Sequence, residues 1–495
     1  PKYPQTFWSF EKVIKMTNKK ALVPPLGLIT VAALFPKDWE ACLVDMVFEE
    51  IEERVWDETD VVMLSGMAVQ HNNMLAVIAE AKRRGKFVVV GGSSVFHFPE
   101  DALRSGADIV VVGEAEVIID SLIEAVNGRK SGIIISSTER AVMTQSPIPR
   151  FELLKLDKYV DMAVQFSRGC PFQCEFCDVT LMLGRKVRTK SPAQIIAELE
   201  KLYELGWRRL VFFVDDNFIG NVQQTKKLLK ELVPWSESRS MPFNFSTQAS
   251  INLANYPDLL ENMYKAGFFR VFLGIETPDK ESLKEAKKYQ NAGVDLVSAC
   301  RKISQAGFQI IAGIIIGFDN EKTGAGDRII EFANQTNIPE IFATLLQAGP
   351  GTGLWLRLEK QHRLLKIDFE NISNQTAVMN FVPSRPIVEI VREFVEVYQT
   401  LYDRKNYVRR VFAMYSSMKP PKVKKSFKVP YLTELKAAVT VIYRNGFVYD
   451  DRLEFWGYLL KALWLFPDRI DRFITALVVA EHYYEFRRSE EHTSE

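Results

Sequence analysis

Three short runs rich in Val and Ile, "DVVMLSG" (60–66), "FVVVGG" (87–92) and "DIVVVGE" (108–114), constrain this chain more than any other feature. None of them alternates apolar with polar residues. Each therefore predicts a strand buried on both faces, and such strands belong to parallel sheets covered by helices. The segments between supply those helices: one ending at Trp56, "NNMLAVIAEAKRRG", a short one before "DIVVVGE", and "VIIDSLIEAV". With "CLVDM" (42–46) as a further strand, residues 40–126 predict a doubly wound, parallel α/β sheet.

A second strand and helix series begins at "MAVQFSRGC". Strands are expected at "RLVFFVDD", "FNFSTQA", "FRVFLGIE", "FQIIAGIIIGF" and "EIFATLLQ", with helices near 192–205, 221–233, 257–266, 293–306 and 324–336. Six such units fall short of a closed eight-unit barrel, so a partial (β/α)6 barrel is expected. Beyond residue 370 helical periodicity takes over in "VEIVREFVEVYQTLYD" and "FWGYLLKALWLFPDRIDRFITALVVAEHYYEFRR", joined by "KPPKVKKSFK". Residues 131–160, with "SPIPRF", read as a crossing linker. The expected domains are 1–135, 161–370 and a helical 371–495, with 136–160 between the first two. No internal repeat is found, and the final "SEEHTSE" is given no function.

A chain of 495 residues needs two or three cores. Its formal charge of +1, from 63 basic and 62 acidic residues, creates no global field for nucleic acid. The apolar run "FQIIAGIIIGF" is too short to span a bilayer, and the amino terminus lacks a signal pattern. The chain is expected in the cytoplasm, soluble or attached to a membrane surface. Five cysteines, three of them bunched, fit a reducing compartment rather than a disulfide framework.

Cys170, Cys174 and Cys177 follow the first strand of the second series with C-x3-C-x2-C spacing, on a loop carrying Gly169 and Pro171. Such a loop can wrap a compact metal cluster. Structural zinc wants four ligands, and the five histidines, at 71, 97, 362, 482 and 492, all lie away from this loop. Cubic iron-sulfur clusters are held by thiolates, and three thiolates leave one iron open to an outside ligand. Zinc with a distant fourth ligand is the competing reading. Cys42 and Cys300 fall in predicted core segments and are expected to be inert.

With Phe176 before the last cysteine, the motif resembles the signature of the radical S-adenosylmethionine (SAM) enzymes. The resemblance implies a 4Fe-4S cluster on Cys170, Cys174 and Cys177, whose open iron chelates the amino and carboxylate groups of SAM. One electron then cleaves SAM to a 5′-deoxyadenosyl radical. The resemblance also implies SAM contacts at the following strand ends. Asp215, Asp216 and Asn217 would serve the amino group or ribose, Gln248, Ser250 and Glu276 the same ligand, and Ile315 and Gly317 the adenine. The family's glycine-glycine-glutamate after the second strand is replaced here by Asp-Asp-Asn. Read as residues alone, each of these positions is equally a packed strand end.

The amino-terminal segments "PPLGLITVAALFP", "GGSSVFHFPEDAL" and "GEAE" resemble the cobalamin-binding domain fused to many radical SAM proteins, over residues 1 to 130. Glycine at the ends of parallel strands lets backbone approach a large ligand. A dinucleotide site is the rival, but no G-x-G-x-x-G is present. The resemblance places cobalamin against Ser65, Gly66, Met67, Val69 and Gln70, against Gly91, Gly92, Ser93 and Ser94, and against Gly113, Glu114 and Glu116. The D-x-H-x-x-G motif of cobalamin mutases is missing. Neither His71 nor His97 is therefore expected on cobalt, which would face "SGMAVQ". Family members carry a strand ahead of a P-x-x-P like Pro1 to Pro4, and this chain begins just after it.

The order of cobalamin domain, barrel and helical extension, with "YPQTFWSF", "VPPLGLITVAALFP" and "STQASINLA", is similar to the subgroup containing the hopanoid C-2 methylase. That similarity implies a methyltransferase acting on an unactivated carbon of a small or lipid-like substrate. Methylcobalamin would donate the methyl group, and flavodoxin or ferredoxin the electron. Two alternatives stay open: cobalamin-assisted oxidation, cyclisation or rearrangement, and a non-catalytic iron-sulfur or cobalamin-binding sensor. Phe455, Trp456, Trp464 and Phe466 are expected in a helical core. The five lysines of 419–428 read as a solvated loop, with contact to anionic lipid as the other reading.

Overall fold

The structure, a computed structural model, describes residues 2, 10–366, 379–420 and 432–493. Pro1 and Pro4, most of "YPQTFWSF", Lys422, Lys424, Lys425 and Lys428, the junction at 370 and 371, and the last two residues lie outside the described residues.

The first sheet contains β1 (Val61–Ser65), β2 (Phe87–Gly91), β3 (Ile109–Val112) and β4 (Ile133–Ser136), side by side in chain order and all parallel. Leu64, Val88, Val90 and Val110 pack with Met74, Val77 and Ile78 of helix His71–Arg83 and with Ala102 of helix Pro99–Arg104. Phe87, Val89, Ile109 and Val111 pack in a separate cluster with Ile118, Leu122 and Val126 of helix Ala115–Asn127 and with Phe35 and Trp39. Successive side chains therefore bury on opposite faces, which is why these strands show no polar alternation.

Two expectations fail at the margins of this sheet. "CLVDM" forms no strand: Leu43, with Val47 and Phe48 just beyond it, packs on the core of the second sheet, and Met46 on that of the first. Asp45 turns the chain there, accepting from the Val47 N–H at 3.1 Å and the Tyr159 hydroxyl at 2.9 Å. Cys42, expected in a core, is exposed, whereas Cys300 is buried as expected. Conversely, β4 lies within the stretch read as a linker. It is an edge strand of four residues in which Ile134 and Ser136 face outward, too short and too exposed to read as a buried run.

The second sheet contains β5 (Met162–Val164), β8 (Leu210–Phe213), β9 (Asn244–Ala249), β10 (Phe268–Glu276), β11 (Gln309–Ile316) and β12 (Glu340–Leu345). The strands are parallel, ordered β12-β11-β10-β9-β8-β5, and the sheet stays open. Helices Pro192–Glu204, Val222–Ser238, Pro257–Ala266, Leu296–Gln305 and Ala325–Thr336 follow the sequence pattern closely. Their starts are written locally: the side chains of Ser191, Asn221 and Asp295 each accept from the backbone N–H three residues on.

An open sheet has free edges that must be covered. Helix Ile387–Leu401 lies beside β12 and covers one with tyrosine hydroxyls. The Tyr398 hydroxyl donates to the Ala343 carbonyl at 2.7 Å, and the Tyr402 hydroxyl to that of Ile341 at 2.7 Å, while the Ile341 N–H donates back to Tyr402 at 3.2 Å. Helices Arg404–Ser417, Leu432–Tyr443, Arg452–Leu465 and Ile470–Thr493 complete this region. Phe455 and Phe466 are buried as expected, and the Trp456 Nε1–H donates to the Gly446 carbonyl at 2.9 Å. Trp464, expected in the core, is 81% exposed. It lies on the side of its helix away from Phe455, Leu459 and Ala462, which fill the buried side.

Candidate active site between two parallel sheets

Past β5 the chain forms a two-residue antiparallel ladder, β6 (Ser167–Arg168) with β7 (Arg188–Thr189), which closes a loop holding all three clustered cysteines. Gly169 starts the loop at φ +94°, where a Cβ would lie 2.8 Å from the Gly184 carbonyl oxygen and 2.9 Å from that of Lys186. Only glycine closes the loop this tightly. Glu175, between the second and third cysteines, is held from two elements, the end of helix Lys280–Glu285 and helix Gly353–Lys360. Its N–H donates to the Ala286 carbonyl at 2.9 Å, its carbonyl accepts from the Leu354 N–H at 2.9 Å, and its carboxylate accepts from Arg357 at 3.0 and 3.2 Å. Arg357 also donates to Asp319, just past β11, at 2.7 Å. Phe176 packs edge-on against Phe318 with ring centroids 6.1 Å apart. Burial pushes the Cys177 and Cys170 thiols up, and the neighbouring cysteine sulfurs add to the effect. Thiolates in this loop need positive charge beside them.

The strand-end residues divide into two kinds. Asp215 is fully buried, and its carboxylate accepts from the Phe166 N–H at 3.1 Å and from the N–H and hydroxyl of Ser167. It ties the end of β8 to the end of β5, and burial pushes its pKa up to about 7. Asn217 is committed in the same way, accepting from the Ser250 N–H at 3.2 Å and hydroxyl at 3.3 Å. Glu276, at φ +67°, pairs with the buried Lys288. All three side chains are engaged with partners in the framework. Asp216, Gln248, Ser250 and Ile315 are half-buried at the same end of the sheet. Burial, with Asp178 close by, pushes Asp216 up to about 6. Gly317 makes a turn at φ +105°, its N–H donating to the Glu321 carboxylate at 2.8 Å.

The corresponding ends of the first sheet are made of backbone. Gly92 sits at φ +89°, and a Cβ there would lie 2.4 Å from the Ser65 hydroxyl and 3.3 Å from the Gly66 carbonyl oxygen. The Ser94 N–H donates to that same carbonyl at 3.0 Å, and Gly113 turns at φ +116°. Met67 stands 53% exposed at the end of β1. His71 opens its helix buried, with Nδ1 2.9 Å from the Ser94 hydroxyl and Nε2 3.3 Å from the Asp101 carboxylate. His97 places Nε2 3.7 Å from Asp178, next to Cys177.

Glu114 and Glu116, just past β3, are held by arginines at the ends of the cysteine loop. Arg188 grips both oxygens of Glu114 at 2.7 Å, and Arg168 reaches Glu116 at 2.8 and 3.0 Å and Glu114 at 3.2 Å. Burial opposes ionisation of Glu116, and Arg168 outweighs it, leaving the carboxyl below its ordinary pKa. These four side chains bolt the end of β3 to the base of the cysteine loop. Arg168, Arg188, Lys288 and Arg357 were not singled out in the sequence. The signal for the first two was nonetheless present: "SRGC" and "RKVRT" place cations at both ends of the cysteine loop.

Residues 164–333 match the Radical SAM superfamily, residues 13–123 the B12 binding domain, and residues 352–495 a domain of unknown function, DUF4070. The chain is 47% identical over 487 residues to an uncharacterised methyltransferase of Synechocystis sp., covering 98% of this chain and 91% of that protein. It is 32% identical over 498 residues to the hopanoid C-2 methylase of Rhodopseudomonas palustris, covering 99% and 92%. The chain belongs to the cobalamin-dependent radical SAM methyltransferase family. Its fold is similar to that of TsrM from Kitasatospora setae, solved with cobalamin and a 4Fe-4S cluster bound, at a TM-score of 0.62 and 16% identity over 94% of this chain and 97% of that one. OxsB, solved with aqua-cobalamin and SAM, matches at 0.62 and 15% identity over 96% and 79%.

Membership in this family closes the alternatives that the cysteines left open. The chain is an enzyme of the methyltransferase class whose cofactors are a 4Fe-4S cluster, SAM and cobalamin, so the zinc and sensor readings fall. Its residues fit these groups: a loop of three half-buried thiols calls for positive charge, and glycine corners leave backbone where a Cβ would collide. No helix among the described residues is long and apolar enough to cross a membrane.

Proposed function

We propose that this family member methylates an unactivated carbon of a small or lipid-like substrate held between the cysteine loop and the glycine corners of the first sheet. The observation that carries this reading is the bolt of Arg168 and Arg188 to Glu114 and Glu116, which sets the carboxyl ends of the two sheets against each other. What one end holds then faces what the other holds. Cys170, Cys174 and Cys177 would carry the cluster, and Asp216, Gln248, Ser250 and Ile315 would line SAM. The corners at 65–70, 91–94 and 113 would take cobalamin. When bound, these groups supply hydrogen-atom abstraction on one side and a transferable methyl group on the other.

The chain's own residues set distance, orientation and dryness. Phe176 against Phe318 shields the barrel side of the cysteine loop. Lys288 keeps a cation near the sulfurs: burial works against its ammonium, but Glu276 and the Cys174 and Cys177 sulfurs outweigh it and hold its pKa above the ordinary value. His71, between Ser94 and Asp101, and His97, beside Asp178, have partners within the protein, which supports cobalamin without histidine on cobalt. A low-potential donor such as flavodoxin or ferredoxin in the cytoplasm would supply the electron.

The test is to give anaerobically reconstituted enzyme methyl-labelled SAM, a reductant and a lipid extract. A labelled product heavier by one carbon and two hydrogens is expected. Sustained 5′-deoxyadenosine with an unlabelled product of another mass would replace methylation by oxidation, cyclisation or rearrangement. For the cobalt ligand, paramagnetic resonance of the bound corrinoid should lack axial nitrogen splitting. Splitting that disappears in His71→Ala or His97→Ala would overturn that part.

A further inference from the structure

Helix Arg452–Leu465 is apolar on two opposite sides. Phe455, Leu459 and Ala462 are buried, while Leu453 (82% exposed), Leu460 (62%) and Trp464 (81%) form one stripe on the far side. Helix Leu432–Tyr443 repeats the pattern, with Leu435, Val439 and Tyr443 exposed at four-residue steps and Phe447 continuing the row. The two helices touch beside these rows: Tyr443 stacks on Phe447 with centroids 6.0 Å apart, and Phe447 meets the half-buried Trp456, on the turn between Leu453 and Leu460, edge-on at 5.6 Å. Single exposed apolar residues are ordinary, but rows on two touching helices mark an interaction surface.

The charges around these rows indicate what covers them. Lys436, Arg452 and Lys461 are exposed and form no ion pair with a described residue. Of the nearby acids whose side chains are described, Glu454 pairs with Lys405 at 2.9 Å and Asp451 with Arg404 at 3.4 Å, and Asp450 is exposed beside the three cations. The surface is thus apolar, edged by unneutralised cations, and carries Trp and Tyr side chains suited to the boundary between acyl chains and headgroups.

We propose that this face docks on the surface of an anionic lipid bilayer without crossing it. The inference deepens the lipid-like substrate reading, since it names the side from which such a substrate would be collected, but docking is measurable without turnover. The experiment uses the reconstituted full chain and vesicles of phosphatidylcholine with or without phosphatidylglycerol. Co-sedimentation is expected with the mixed vesicles and should fall with salt. Leu460→Ser combined with Trp464→Ser should weaken it roughly ten-fold or more. Lys436→Glu combined with Lys461→Glu should weaken it roughly five-fold and flatten the salt dependence. SAM cleavage should match the parent in both variants, which verifies folding. Unchanged sedimentation of the Leu460→Ser/Trp464→Ser variant would overturn the proposal. So would a parent dimer that this variant converts to monomer, which would assign the face to a second copy of the chain. Docking without any methylated lipid would retire the substrate reading alone, and lipid methylation by enzyme that stays in the supernatant would retire docking alone.

Discussion

At the carboxyl ends of β1 and β2 the chain presents glycine backbone, whereas at those of β5 and β8 to β10 it presents side chains that hold one another. Gly66, Gly92 and Gly113 project no side chain from the first sheet's corners, and Met67 beside Gly66 is exposed. On the second sheet Asp215 grips Ser167, Asn217 grips Ser250 and Glu276 grips Lys288. The difference fits the two kinds of group proposed for these sites. A broad, flat cofactor needs a surface without protrusions, while a compact cluster needs a loop whose walls cannot drift.

The sharpest way to break this contrast is at the thiols. Cys174→Ala should abolish both cluster iron and reductive SAM cleavage, while Cys300→Ala, buried far along the chain, and Cys42→Ala, on the surface, should leave both intact. Retained iron in Cys174→Ala would show that the loop is not the cluster site. Next in size is Gly92→Leu, which forces a side chain onto Ser65 from a left-handed backbone. Cobalamin retention should be lost while the iron-sulfur absorbance persists. Equal retention would put the crevice elsewhere.

The bolt offers a smaller and more specific test. Arg168→Ala leaves Glu116 buried without its main partner, a loss of about 3–5 kcal/mol for a buried pair. Hydrogen exchange should rise in β3 and in the cysteine loop together, and methyl transfer should fall further than 5′-deoxyadenosine formation. If the two activities fall in parallel, the bolt stabilises the fold without aligning the sheets. The smallest effect expected is on acid stability. Burial raises the Asp319 carboxyl, but Arg363, Arg357 and Ser384 outweigh it and hold the carboxyl well below its ordinary 3.8. The native chain therefore binds fewer protons there than the unfolded one, so this contribution is complete above 3.8 and fades as pH falls toward the native value. The melting temperature of Asp319→Asn should fall less steeply below that pH than the parent's.

What was legible in the sequence was what local pattern dictates. Val88 to Val90 read as a buried strand because both faces of the sheet are covered, and Ser191 or Asp295 marks a helix start from within its own four residues. The cysteine spacing was legible because it lies within one loop. β4 was lost because half of it faces outward, and Trp464 was misplaced because aromatic content says nothing of which side a partner occupies. The directions of Glu114, Glu116, Asp215 and Glu276 were lost for another reason. Each is fixed by a partner distant in sequence: Glu114 meets an arginine 74 residues away, and Asp215 a serine 48 away.

The two tyrosines on β12 have a consequence for modular exchange among such enzymes. Their hydroxyls occupy the carbonyls of Ala343 and Ile341 that an additional strand would otherwise seek. A chain cut before helix Ile387–Leu401 would therefore present a bare template and recruit its own copies into aggregates. The helical extension is for that reason no detachable accessory, and any foreign extension grafted onto this barrel must bring two hydroxyls to the same pair of carbonyls before it can bring a new specificity.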